Sequence, residues 1–140
     1  MSTLNSAIAA SASGLDVQRA RMEVAVSNMA NAESTRSANG EPYRRREVVL
    51  QATDDGTDGV TDPTATGVRV AAVLEDQSAF QRRYEPSHPD ADADGFVAMP
   101  NVDVPEEMVD MLGAARAYQA NLSAIGIIAD TIKKALDLAK

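Results

Sequence analysis

Apolar residues recur at alternating spacings of four and three residues through the last third of the chain. That spacing is typical of one face of a long helix, here about five heptads of an a/d seam. Pro105 falls in the first turn, where its missing N–H does no harm. The pattern predicts a helix from about residue 104 to the end of the chain. Its seam comprises Val104, Met108, Met111, Ala115, Tyr118, Leu122, Ile125, Ala129, Ile132 and Leu136.

A weaker version of this pattern occupies the first 30 residues. Ile8, Leu15, Met22 and Met29 recur every seven residues, whereas the other heptad position holds mostly small or polar residues. The pattern predicts a helix from about residue 2 to about residue 31 with one narrow apolar edge. Such a helix needs packing against another element, because its own propensity is marginal. The methionines on both seams are expected to pack there rather than to serve a cofactor.

The segment between the two predicted helices, residues 36–103, holds five of the six prolines. β-Branched residues in 43–52 and 68–74 predict two short strands, and 80–84 is a candidate for a third. Residues 53–67 are rich in Thr, Asp and Gly, and they are expected to form a loop or a long hairpin tip.

These elements predict an α+β fold, with two long antiparallel N- and C-terminal helices that form a coiled-coil-like rod and a small β-rich middle unit. The expected division is an N-terminal helix in 1–35, a small β/loop domain in 36–103 and a C-terminal helix in 104–140. Gly113 and Gly126 interrupt the second helix, where each costs about 1 kcal/mol against Ala. We expect close approach of another helix at both glycines.

The composition favours a core that other chains complete. Alanine supplies 25 residues, whereas Leu, Ile, Val and Phe together supply 28 of 140, which is low for a chain that folds alone. The net charge of −8 argues against nucleic acid and anionic membranes as partners. The lack of cysteine excludes disulfides, thiolate metal sites and cysteine nucleophiles. No segment looks long and apolar enough for membrane insertion, and the first 30 residues lack the pattern of a cleaved signal peptide.

Two short motifs suggest chemistry that the rest of the sequence does not support. Residues 90–95, Asp-Ala-Asp-Ala-Asp-Gly, match the first six positions of an EF-hand calcium loop, but the twelfth position is Asn101. An Asp-rich turn is therefore the favoured interpretation. Ser87, His88 and Asp90 are the ingredients of a catalytic triad, yet triads assemble from distant positions. We expect no enzymatic activity, no catalytic residue, no cofactor and no metal.

Arginines cluster at 44–46 and 82–83. In strand geometry Arg44 and Arg46 share one face and Arg45 takes the other. A surface that is solvated or neutralised by nearby acids is the favoured interpretation. Contact with an acidic neighbouring subunit is the alternative, and nucleic acid is the least favoured partner.

Two stretches resemble a known family. Residues 26–35, Val-Ser-Asn-Met-Ala-Asn-Ala-Glu-Ser-Thr, resemble a motif near the N-terminus of bacterial flagellar rod and hook proteins, although Val26 and Ser27 depart from it. The run from 88 to 121, with Pro-Asn-Val-Asp-Val at 100–104, resembles the proximal-rod members more specifically. Residues 53–67 contribute nothing to the resemblance. The positions that match the N-terminal motif are Asn28, Ala30, Asn31 and Thr35.

The resemblance implies a structural subunit of the flagellar proximal rod that assembles helically with other rod proteins and transmits torque. Its implied partners are proximal and distal rod subunits, the rod-base adaptor, the vicinity of the MS ring, copies of itself and the flagellar type III export apparatus. The implied location is the periplasmic rod of the basal body, reached by export without a cleaved signal peptide. A generic coiled-coil interaction module or a type III secreted adaptor is the alternative, which explains the heptads but not the two motif stretches.

Overall fold

A computed structural model describes residues 2–54 and 66–138 of the chain. Helix α1 spans Ser2–Ala30 and helix α2 spans Val104–Leu138. Between them lie four strands: β1 (Arg46–Asp54), β2 (Thr66–Glu75), β3 (Gln81–Tyr84) and β4 (Phe96–Met99). The predicted α+β fold is confirmed, with both helices close to their expected bounds.

The strands form two separate antiparallel pairs. β1 pairs with β2, from Arg46 opposite Glu75 to Asp54 opposite Thr66, with a bulge between Val49 and Leu50. β3 pairs with β4, a strand that no pattern predicts because its four residues are too few to show an alternation. The predicted loop at 53–67 falls mostly outside the described residues, and its described ends belong to β1 and β2.

Helices α1 and α2 are antiparallel, and two contacts fix their register. Asn28 Nδ2 donates to Glu107 Oε2 at 2.9 Å, and a Cβ built on Gly14 would lie 2.8 Å from Asn121 Nδ2. The residue numbers of both pairs add to 135, as one continuous antiparallel register requires. The same register sets Ala114, which is completely buried, midway between the two contacts.

The large apolar residues of the predicted seams lie beside this contact line rather than on it. The line runs along α2 through Glu107, Ala114 and Asn121, one residue away from the seam series that contains Met108 and Leu122. Because α1 and α2 approach each other over small and polar residues, the larger side chains lie on either side of the contact line. Half-buried seam residues are Ile8, Leu15, Met22, Met29, Met111, Ala115, Tyr118, Ile125 and Ile132, and exposed ones are Val104, Met108, Leu122, Ala129 and Leu136.

The glycines of α2 do not lie at the contact between α1 and α2. A Cβ built on Gly113 or Gly126 would meet no atom of the described chain within 4 Å. The expectation of close helix approach at these two positions is therefore wrong within the single chain. Gly14 of α1 is the glycine at which the two helices approach closely.

A small core joins the helix pair to the middle segment. It combines two residues of α1, one of α2 and four from the segment between the helices. Its buried apolar residues are Val17, Ala25, Tyr43, Val97, Met99, Val102 and Ala114.

Candidate functional site

One buried amide joins the end of α1 to the starts of β1 and α2. Asn28 is 1% exposed. Its Nδ2 donates to the Arg46 carbonyl and to Glu107 Oε2, both at 2.9 Å. Its Oδ1 accepts from the Arg46 N–H at 2.9 Å and from the Tyr43 hydroxyl at 3.0 Å. A side-chain amide donates two bonds and accepts two, so every bond that Asn28 can make is used.

Glu107, in the first turn of α2, is the buried charge of this site at 2% exposure. Its second oxygen, Oε1, accepts from Arg45 Nε at 2.5 Å. The Arg45 guanidinium also contacts Glu47 and, at 3.5 Å, Asp110. A buried carboxylate persists only when it is paired and hydrogen-bonded, and Glu107 meets both conditions.

The surroundings of Arg45 keep it charged. Burial of the guanidinium, the strongest influence on its pKa, acts to lower that pKa. The hydrogen bond to Glu107 and the charges of Glu107, Glu47 and Glu106 outweigh burial and raise the pKa of Arg45 above its ordinary value. Arg45 therefore supplies a fixed positive charge to the ion pair that joins α2 to the start of β1.

Asn101 ties the segment before α2 to the same site. Its Oδ1 accepts from the Arg45 N–H at 2.8 Å, and its Nδ2 donates to the Asp76 carbonyl at 3.1 Å and to Ser78 Oγ at 2.8 Å. The Asp76 N–H in turn donates to the Arg45 carbonyl at 2.8 Å. We call the set of Asn28, Tyr43, Arg45, Asn101 and Glu107 the polar junction.

Two further motif positions lie at the C-terminal end of α1. Asn31 Nδ2 donates to the Ser27 carbonyl at 2.9 Å, and its Oδ1 accepts from Ser34 Oγ at 3.2 Å. Asn31 thus satisfies a carbonyl of the last helical turn and starts the turn that follows. Ala30 is the last residue of α1 and is exposed.

Asp90 links the chain after α1 to the Asp-rich segment. Its carboxylate accepts from Thr35 Oγ1 at 2.9 Å and from Arg36 at 2.6 Å. His88 Nδ1 accepts from the Asp90 N–H at 3.1 Å. His88 and Asp90 are therefore engaged in turn contacts rather than in a catalytic triad, and Thr35 is the motif residue that holds Asp90.

Asp92 closes the Asp-rich turn. Its Oδ1 accepts from the N–H groups of Phe96 at 2.8 Å and Asp94 at 3.0 Å, and its Oδ2 accepts from Arg82 at 2.7 Å. The Phe96 N–H is the main cause that holds the pKa of Asp92 below its ordinary value. Within 2–54 and 66–138, no three or more His, Cys, Asp or Glu side chains are grouped to hold a metal ion.

The arginine clusters divide between the surface and the interior. Arg82 and Arg83 are exposed and paired with nearby acids, as the favoured interpretation expects. Arg44 is half-buried, with its guanidinium carbon 4.2 Å from the centre of the Phe80 ring. The side chain of Arg45 is only 14% exposed, so the surface interpretation is wrong for this residue. Its buried partner, Glu107, is 62 residues away, where local spacing gives no hint of it.

The other notable feature is an uncovered apolar strip on α2. Its large members, Met108, Leu112, Leu122 and Leu136, are 49–56% exposed. Smaller residues lie between them, and the spacing of four and three residues is interrupted by Gln119 and Lys133, which leave steps of seven residues from Ala115 to Leu122 and from Ala129 to Leu136. We call this set the outer stripe: Met108, Leu112, Ala115, Leu122, Gly126, Ala129 and Leu136.

The opposite character marks the neighbouring face of α2. After the exposed Val109 at its first position, this line continues with Arg116, Ser123, Asp130 and Asp137 at every seventh residue, and all four are exposed. Neither helix, over its described length, is apolar enough to cross a membrane. The outer stripe is therefore a narrow apolar band beside a polar one.

Comparison with known proteins places this architecture in a family. Residues 93–138 match the model of the flagellar basal body rod FlgEFG protein C-terminal region. The flagellar basal-body rod protein FlgC of Salmonella typhimurium is 43% identical over 126 residues, which cover 90% of each chain. FlgC of Bacillus subtilis is 40% identical over 93% of this chain and 94% of its own, and FlgC of Agrobacterium fabrum is 39% identical over 100% and 98%. The chain belongs to the FlgC family of flagellar basal-body rod proteins.

Proposed function

We propose that this chain, a structural subunit of the flagellar basal-body rod, builds the proximal rod by helical assembly through the outer stripe of α2. The observation that carries the proposal is the exposure of that stripe, in which four large apolar side chains are about half exposed. An exposed apolar strip beside a polar face is typical of a protein–protein contact surface. Burial of these side chains by the next subunit would stabilise the rod.

The presence of Gly126 is an argument that a neighbouring helix packs closely against the outer stripe. A helical glycine costs about 1 kcal/mol relative to alanine. The described chain places no atom within 4 Å of where its Cβ would be, so intramolecular packing gives no reason for the glycine. A neighbour whose backbone passes close to Gly126 supplies that reason. The predicted seam residues then divide their roles, with Met111, Tyr118, Ile125 and Ile132 beside α1 and the exposed ones facing other subunits.

The polar junction gives the subunit the rigidity that torque transmission needs. Asn28, Arg45 and Glu107 connect α1, the β1–β2 hairpin and α2 through buried hydrogen bonds and one ion pair. Such fully satisfied polar networks hold elements in one arrangement. A contact between two different faces of successive copies repeats as an open helix when its rotation does not close into a ring, and the proposed assembly is of this open kind.

The proposed division of the subunit is a helical domain from 1–35 and 104–140 and a β/loop domain from 36–103. The proposed partners are copies of this chain, proximal and distal rod subunits, the rod-base adaptor near the MS ring and the flagellar type III export apparatus. The proposed location is the periplasmic rod, reached by export without a cleaved signal peptide, and it is supported by the relatives' being flagellar basal-body rod proteins. The generic coiled-coil module is not favoured, because the relatives match over nine-tenths of the chain.

The test compares two neighbouring residues of α2 that receive the same charge. Leu122→Glu places a carboxylate on the outer stripe, whereas Ser123→Glu places one on the adjacent polar face. In cells that lack their own copy of the gene, we expect Leu122→Glu to be exported but absent from purified basal bodies, with motility lost. Ser123→Glu should keep near-normal motility. Normal motility with Leu122→Glu would contradict the proposal.

A further inference from the structure

The α1–α2 interface raises the question of what selects one register between two alanine-rich helices. Small residues occupy much of the contact line, and a shift by one heptad, about 10 Å along the axis, would again bring small residues together. One such shift would place Arg21 opposite Glu107 and Gly14 opposite Ala114, which would bring opposite charges together and set two small residues against each other. The apolar pattern alone therefore does not exclude the shifted pairing.

We propose that Gly14 and Asn121 form a size-matched contact that, together with Asn28 and Glu107, locks α1 and α2 in a single register. The Asn121 amide occupies the space where any side chain at residue 14 would begin, because its Nδ2, Cγ and Oδ1 lie 2.8, 3.2 and 3.3 Å from the position of a Cβ on Gly14. Gly14 is itself buried. No residue other than glycine fits there unless Asn121 moves.

The spacing of the two contacts makes them act together. Gly14 and Asn28 are two heptads apart on α1, and Asn121 and Glu107 are two heptads apart on α2. Two contacts at the same heptad position require a repeat of 3.5 residues per turn and hence a left-handed supercoil. The contact between Asn28 and Glu107 sets the register at one end of the helix pair. The contact between Gly14 and Asn121 keeps the same register two heptads away. A polar residue at such a position is a known means of specifying register.

The first test is a double-mutant cycle on the full chain, followed by urea unfolding. Alanine in place of an exposed helical glycine should raise the folding equilibrium constant about fivefold, and Gly126→Ala is the matched control. We expect Gly14→Ala to give no such rise in the native background, because its methyl group meets Asn121. In the Asn121→Ala background, Gly14→Ala should give the full rise. An equal rise in the native background, or no rise in either background, would overturn the proposal.

The second test reads the register directly, since the chain contains no cysteine of its own. The register places Ala7 opposite Ile128, so the double variant Ala7→Cys, Ile128→Cys should form a disulfide under mild oxidation. Leu4→Cys, Ala124→Cys reports the shifted register that pairs Arg21 with Glu107, because the residue numbers of both pairs add to 128. This variant should not form a disulfide, because disulfides need Cα atoms within about 7 Å. Adding Gly14→Leu should abolish the first disulfide. Its persistence at the native yield, or its absence without Gly14→Leu, would overturn the proposal.

Discussion

The polar junction and the outer stripe are two parts of the same helix pair with opposite chemistry. At the junction, Asn28 and Glu107 are almost completely buried and every hydrogen bond of the Asn28 amide is made inside the chain. Along the outer stripe, Leu122 and Met108 remain about half exposed although they are apolar. The difference indicates that buried polar contacts help to specify the arrangement of the single subunit, whereas the proposed function assigns the exposed apolar side chains of α2 to contacts with its neighbours.

Removal of the buried charge should have the largest effect on the subunit alone. Glu107→Ala leaves Arg45 without its buried partner and leaves one donor of Asn28 unsatisfied, so we expect a loss of about 3–5 kcal/mol in the free energy of unfolding. Chemical denaturation of the purified chain measures it. The control, Glu106→Ala, removes a carboxylate that is 64% exposed one residue earlier, and it should cost less than about 1 kcal/mol. Equal losses of stability in Glu107→Ala and Glu106→Ala would show that the buried ion pair contributes no more than an exposed carboxylate.

Replacement of the Asn28 amide should cause the second-largest loss of stability. Asn28→Asp keeps the shape but replaces two donors by an acceptor that faces the Glu107 carboxylate, so we expect a loss on the order of 3 kcal/mol. Asn39→Asp is the matched control, because Asn39 is exposed and uses its Oδ1 only as an acceptor from the Glu41 N–H. Thermal unfolding should separate the two variants clearly. A stable Asn28→Asp protein would contradict the account of the junction.

A smaller effect is expected where a single exposed carboxylate closes a turn. The folded state lowers the pKa of Asp92, so its contribution is present above its ordinary pKa of 3.8 and is lost as the pH falls through the lower folded value. Asp92→Ala should therefore lower the urea midpoint at neutral pH, and the difference should vanish in strong acid. Asp94→Ala, which leaves the Asp92 contacts in place, should show no such convergence. A pH-independent difference for Asp92→Ala would rule out this carboxylate as its source.

Residue spacing predicts much of the architecture but little of the junction. The long helices and the β1–β2 pair appear in the sequence because repeats of 3.5 and of two residues extend over many positions. Strand β4 is too short for that. Glu107 lies on the heptad line of Ala114, and a charge at such a position hints at a buried partner. That partner, Arg45, lies among three consecutive arginines, and only the fold singles it out.

Residue spacing also fails to show which predicted seam residues form the contact between α1 and α2. Hydrophobicity selects Met108 and Leu122 for the contact between the helices, but Ala114 and Asn121 lie closer to it because the helix axes approach over small residues. Large side chains such as Met108 and Leu122 then remain exposed on the single subunit. A single sequence does not distinguish these two uses of an apolar residue, since both follow the same spacing.

The most direct test of this division of roles is Gly126→Leu, assayed both for the stability of the purified chain and for motility. Leucine is a better helix former than glycine, Gly126 is exposed, and a Cβ there would meet no atom of the described chain within 4 Å, so the purified variant should be at least as stable as the native chain, by up to about 1 kcal/mol. The same variant should fail to enter basal bodies and should abolish motility, whereas Ser123→Leu on the polar face should not. A Gly126→Leu variant that is both stable and fully motile would contradict the claim that neighbouring subunits cover the outer stripe.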